Sequence, residues 1–150
     1  MILPISKYGV SKIIEKPCEQ VTLFDQELKV FVLSMFDTMY AAHGVGLAAS
    51  QVGVLKRIAV IDISDNKEPQ AKLVLINPVI KRQKGIMEVE EGCLSIPGRR
   101  DVIKRSAEVL VEAQDIDGQL FSIWGKDLLA QALQHEIDHL NGILYITHIT

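Results

Sequence analysis

His135 and His139 stand four residues apart in the stretch QHEIDHLNG, with Glu136 directly after the first. In a helix, positions i and i+4 share a face, so both imidazoles can hold one metal ion. Glu136 is turned by about 100° from His135 and can reach a water at that ion without ligating it. On an apolar, well-punctuated helix this HExxH pattern reads as a metal site rather than as two histidines satisfied in a core. A catalytic ion takes three protein ligands and keeps one position open. The longer pattern H-E-x-x-H-x-x-G-x-x-H holds through Gly142, but Tyr145 then stands where a third histidine belongs. His148 has the wrong spacing, and no acidic residue follows Asp138. The third ligand must therefore lie upstream, at Cys18, His43 or Cys93. Cys18, in the polar turn EKPCEQ, reads as a surface or packing thiol. Cys93, in EVEEGCLSIPG, follows Gly92 on a segment that reads as extended until Pro97 stops it. A Cys/His/His set would suit a catalytic site, whereas composition alone makes Cys93 equally a small buried hydrophobe.

These residues need a scaffold. TLFDQELKVFVLSMFDTMYAA carries Leu28, Val32, Met35, Met39 and Ala42 at helical spacing. Thr22 with Asp25 resembles a capping box, and Gly44 and Gly46 mark the end. KRIAVIDIS and AKLVLINPVIKR read as strands, the second with Pro78 at an edge or a bulge. IMEVEEGCLSI is a further extended piece. AEVLVEAQDIDGQLFSIW reads as a hairpin: Val109, Val111 and Ala113 alternate with polar partners, DIDG turns, and Leu120 and Ile123 return. DLLAQALQHEIDHLNG is the last helix, with Asp127 as N-cap, Gly142 as stop and a stripe of Leu129, Leu133, Ile137 and Leu140. ILYITHIT reads as terminal extended chain. Helix, several strands, helix predicts one α+β domain over residues 1–150 with mostly antiparallel sheet.

The bulk numbers exclude several classes. With 48% hydrophobic residues the chain can build a core, and a net charge of −3 is no basic nucleic-acid footprint. Pro4 and Lys7 interrupt the apolar start MILPISKYGV, so it reads as no signal peptide, and no apolar run reaches membrane-spanning length. A cytoplasmic monomer with no membrane and no nucleic-acid partner is expected. Nothing argues for a disulfide between Cys18 and Cys93.

Three stretches, GVGLAASQ (Gly44 to Gln51), EGCLS (Glu91 to Ser95) and QHEIDH (Gln134 to His139), resemble the signature motifs of peptide deformylases, in the right order. The similarity runs from ILPISKY to GILY, and EGCLS resembles the bacterial and organellar form. The resemblance implies an α+β fold whose antiparallel sheets pack around a central HExxH helix. It implies a hydrolase that removes the formyl group from the N-terminal formyl-methionine of nascent polypeptides. Cys93, His135 and His139 would hold one divalent ion, Fe²⁺ physiologically, with Zn²⁺, Ni²⁺ or Co²⁺ able to substitute. Water bound to that ion would attack the formyl carbon, with Glu136 as general base and then acid. The backbone N–H of Leu94 and the side chain of Gln51 would donate to the oxyanion.

By the same resemblance, an N-formylmethionyl peptide lies as an added strand against Val45, Gly46 and Gly92. Its methionine enters a pocket walled by Val45, Val89, Leu128 and Ala132. Glu91 and Asp138 are expected to orient ligand imidazoles, with Arg100 and Arg105 as their partners. His43 stands where members often carry an acid, at the mouth of the groove, and Ser50 replaces a common Pro or Thr. Thr147 and His148 occupy the place of an Asp-Arg pair. The long basic helix that follows in many members is missing from the sequence, which weakens the expectation of ribosome association. A small HExxH metallopeptidase is the alternative reading. A dead binding module is disfavoured, since Glu136 and Gln51 are both present.

Overall fold

The computed structural model describes residues 1–64 and 72–149. The first helix, α1, spans Gln26–Ala41 and buries Leu28, Val32, Met35 and Met39. Asp25 is its N-cap: the carboxylate accepts from the Leu28 N–H at 3.0 Å. Thr22 lies before the helix, so the expected Thr22–Asp25 capping box is not formed. Past the helix, His43 turns the chain with a φ of 58°.

Five strands form one antiparallel sheet: β1 (Gly46–Ala48), β2 (Ile58–Asp62), β3 (Lys72–Lys84), β6 (Glu108–Gln114) and β7 (Leu120–Lys126), in the order β1-β2-β3-β6-β7. Strand β2 is apolar from Ile58 to Ile61 because both of its faces are covered. Ile58 and Val60 join the cluster under α1, while Ala59 and Ile61 join the one under the last helix. Pro78 sits where the β3–β6 register shifts, between Ile76 and Val79. It marks a bulge in an interior strand, where a missing N–H is tolerated, and not an edge. The Asp115–Gln119 turn joins β6 to β7 as expected. Ala71, within the second expected strand, and Thr150, at the end, lie outside the described residues.

A separate two-stranded sheet pairs β4 (Met87–Cys93) with β5 (Ile96–Arg105). Strand β5 has no counterpart in the sequence reading. Pro97 does not stop the extended chain; it lies in β5, beside the register shift that follows the Cys93↔Ile96 pair. Helix α2 (Asp127–Leu140) packs on the large sheet and bonds to this hairpin through His135 with Glu91 and Asp138 with Arg105. Ala130, Leu133, Ile137 and Leu140 bury against the sheet, and Met87 of β4 packs onto the same core. Asp127 is the first residue of α2 rather than its cap, which falls at Lys126 with no side-chain bond. Gly142 stops the helix with a φ of 77°, and a Cβ there would stand 2.7 Å from the Glu15 carbonyl. The terminal stretch is not a strand: Tyr145–His148 is a 3₁₀ turn, and Ile149 bridges to Ile103. Among the described residues no helix is long and apolar enough to cross a membrane. The architecture is the expected α+β, antiparallel around a central HExxH helix.

Candidate active site

One face of α2 carries His135 and His139, and the end of β4 delivers Cys93 to them. Cys93 Sγ lies 3.2 Å from His139 Nε2, which is 3.1 Å from His135 Nε2. These three donor atoms all fall within 4.8 Å of one another. Bonds of about 2.0–2.1 Å to nitrogen and about 2.3 Å to sulfur, at tetrahedral angles, space ligand atoms roughly 3.3–3.6 Å apart. The donors therefore fit one ion with little movement. Cys18 and His43 are elsewhere. Cys18 is a half-buried packing thiol whose N–H donates to the Leu140 carbonyl, and burial raises its pKa. His43 is exposed at the cleft rim.

Alternation along β4 puts Glu91 on the same side as Cys93. Glu91 Oε1 accepts from Nδ1–H of His135, which fixes the ring so that its Nε2 is aimed at the cluster. Arg105 of β5 locks the carboxylate: Nη2 donates to Oε1 at 2.6 Å and Nε to Oε2 at 3.2 Å. Burial opposes ionisation of Glu91, but the hydrogen bonds from His135 and Arg105 outweigh it and hold the carboxyl down at about 2. Asp138 orients Arg105 rather than a ligand imidazole, accepting from Nη1 at 2.6 Å. Arg100 pairs with exposed Glu90 and not with the buried carboxylates.

Glu136 is buried beside the cluster, and its Oε1 has no hydrogen-bond partner among the described residues. Burial pushes its carboxyl up to about 7, the range in which a carboxylate exchanges protons readily at neutral pH. Gln51 is buried too, 1% exposed, on the 3₁₀ turn Ala49–Val52. Its Oε1 accepts from the Ala48 N–H at 2.9 Å, so Nε2 must point the other way, to Ser95 Oγ at 3.1 Å and Cys93 Sγ at 3.5 Å. Leu94 follows Cys93 in the β4–β5 turn, and its carbonyl accepts from Lys7 Nζ at 3.1 Å. The N-terminal segment straps this turn to the Gln51 turn: Ser6 N–H donates to Gln51 O, and Tyr8 N–H to Ser95 O.

A cleft of ≈ 870 Å³ opens over these groups. Val45 and Gly46, Gly92 of β4, and Leu128 and Ala132 of α2 line it. Val89 is not in that lining. It packs with Ile14, Ile96, Ile103, Leu144 and Tyr145. Ser95, Lys7 and the full reach of Arg105 were not anticipated from sequence. Nothing in their local spacing marks them, since each acts on a residue distant in the chain.

The profile of the polypeptide deformylase family matches residues 2–150. The peptide deformylase of Acidobacterium capsulatum is 48% identical over 150 residues, covering 100% of this chain and 88% of that protein. The fold superimposes on the crystal structure of a peptide deformylase from Legionella pneumophila with a TM-score of 0.94, at 44% identity, covering 100% of this chain and 87% of that one. A Met-Ala-Ser-bound class I type b peptide deformylase from Acinetobacter baumannii gives a TM-score of 0.91 at 32% identity, covering 99% of each chain. With a Cys/His/His donor set of the kind a metal-dependent family needs, the chain belongs to the polypeptide deformylase family, enzymes that remove the N-formyl group.

Proposed function

We propose that the chain deformylates N-formylmethionyl peptides, among them nascent chains, with Cys93, His135 and His139 holding one divalent ion. The observation that carries this is the meeting of Cys93 Sγ and two Nε2 atoms beside the unpartnered Glu136 carboxylate, within a peptide-sized cleft. Such an ion, when bound, acidifies water and polarises a carbonyl oxygen. Glu136 takes the proton from the attacking water and returns it to the departing amine, a task suited to a carboxyl raised to about 7. Gln51 Nε2 and the Leu94 N–H donate to the oxyanion as it forms, and two fixed donors contribute about 3 kcal/mol each. The peptide extends beside Val45, Gly46 and Gly92, and its methionine lies against Leu128 and Ala132. Binding along the backbone makes affinity depend little on the residues that follow. A thiolate ligand suits Fe²⁺ as readily as Zn²⁺, and Ni²⁺ or Co²⁺ can replace them. Fe²⁺ beside a thiolate makes the enzyme sensitive to air. The similar enzyme that holds Met-Ala-Ser supports a peptide product of this kind.

The test is formate release from formyl-Met-Ala-Ser by wild type, Glu136→Gln and Cys93→Ala. Wild type is expected to release formate, Glu136→Gln to keep metal without turnover, and Cys93→Ala to lose metal. Cleavage of internal peptide bonds without formate would replace this reading with a metallopeptidase.

A further inference from the structure

The hydrogen-bond chain behind His135 does not end in the interior. Arg105 passes from Glu91 to Asp138, and Asp138 Oδ2 takes a second bond, from His148 Nε2 at 3.0 Å. An ionised carboxylate only accepts, so His148 Nε2 carries the proton in that bond. Glu91 is 3% exposed and Arg105 6%, whereas the His148 side chain is 36% exposed. One end of the chain thus meets solvent and the other meets His135. The charged groups facing His148 are Asp138 from α2 and Lys104 and Arg105 from β5, with uncharged Gln83, Ser106 and Gln134 around them.

We propose that His148 is a positioning residue for the metal centre. Through Asp138 and Arg105 it sets how firmly Glu91 holds the Nδ1–H of His135, and its protonation loosens that hold. The inference rests on the deformylase reading only in taking His135 as a ligand. Neutral His148 donates one hydrogen bond and leaves the charge of Asp138 to Arg105. Imidazolium adds a second cation at the same oxygen. Arg105 then shares less of its charge with Asp138 and more with Glu91. A more neutralised Glu91 is a weaker acceptor for His135, and a less polarised imidazole is a weaker ligand. The inner links are dry, so little of the change is screened.

The test loads the protein with Co²⁺. It follows the visible absorption band and the rate of transfer to a chelator from about pH 8 down to about pH 5.5. Wild type is compared with His148→Gln, which keeps a neutral N–H donor, and His148→Arg, which carries a fixed charge. Loss of an outer-shell partner typically costs about 10–100-fold in metal affinity, so a residue further out is expected to change release by about 3–10-fold. At about pH 8, His148→Gln should match wild type and His148→Arg should release faster by that factor. At about pH 5.5, wild type should approach His148→Arg and leave His148→Gln behind. A constant ratio of wild type to His148→Gln across the range overturns the proposal, as does slow release by His148→Arg at the alkaline end. A folding defect shared by both variants cannot imitate opposite shifts. Formate release is recorded on the same samples, so an intact Co²⁺ band without formate counts against the deformylase reading alone.

Discussion

The main chain of Gly46 lies directly over the carboxylate of Glu136. A Cβ at position 46 would stand 2.5 Å from Oε2 and 3.0 Å from Cδ. Strand β1 thereby covers the proposed proton carrier, and any side chain there displaces it. Gly46→Ala should lower kcat/KM for formyl-Met-Ala-Ser by at least about 100-fold, the scale of a lost general base. Metal content should be unchanged. A variant that keeps half the wild-type rate would show that the close approach is unnecessary.

Arg105 is buried between Glu91 and Asp138 and bonds to both. Without it, the Glu91 charge is left in the interior with only His135 as a partner. Arg105→Ala should cost about 3–5 kcal/mol in urea unfolding. Arg105→Lys should recover only part of this, because an ammonium cannot span two carboxylates as a fork does. A loss below about 1 kcal/mol would mean that water reaches the pair.

Ser95 Oγ is the side-chain oxygen that receives the Gln51 amide, and it is fully buried. Ser95→Ala should let Nε2 of Gln51 wander and lower kcat by about 10-fold with KM nearly constant. Gln51→Ala should cost more, about 100–1,000-fold. If Ser95→Ala turns over like wild type, the Ala48 contact alone orients the amide.

Tyr40 donates to Asp62, joining the end of α1 to the end of β2, and the Asp62 N–H donates to the carbonyl of Val45 in the cleft wall. Burial, and then the Asp62 carboxylate, push the Tyr40 phenol up to about 12. An unfolded phenol loses its proton near about 10, so between about 10 and about 12 the unfolded state binds fewer protons. Stability must therefore fall as pH rises through that window. Asp62→Asn should bring the slowest-titrating tyrosine down in ultraviolet titration and flatten the alkaline loss of stability. An unchanged titration would leave burial as the whole cause.

Helix α2 and the β6–β7 hairpin were legible because their signals are local. A stripe at helical spacing, an i, i+4 histidine pair and an Asp-Gly turn each depend on neighbours in the chain. The errors fell where distant packing decides. Thr22 and Asp25 are both good caps, and only the entry path of the chain into α1 selects Asp25. The polar first half of β5 hid a strand in which the consecutive Arg99 and Arg100 are both exposed. Gln51 read alone as a surface residue because glutamine is usually exposed; the family resemblance singled it out, and the fold buries it.

By itself the sequence determined the periodic elements, the two histidines and the adjacent carboxylate, since an α-helix places i and i+4 together whatever surrounds it. Three motifs in order supplied the resemblance that names Cys93, Leu94 and Gln51. Tertiary structure decided the rest. It brought Cys93 and not Cys18 to His139 across 46 residues, packed Val89 against Ile14 and Tyr145 outside the cleft lining, and ran Arg105 and His148 into the network behind His135. Those contacts arise from burying the β4–β5 hairpin against α2, and neither segment encodes the other's position until both surfaces are removed from water.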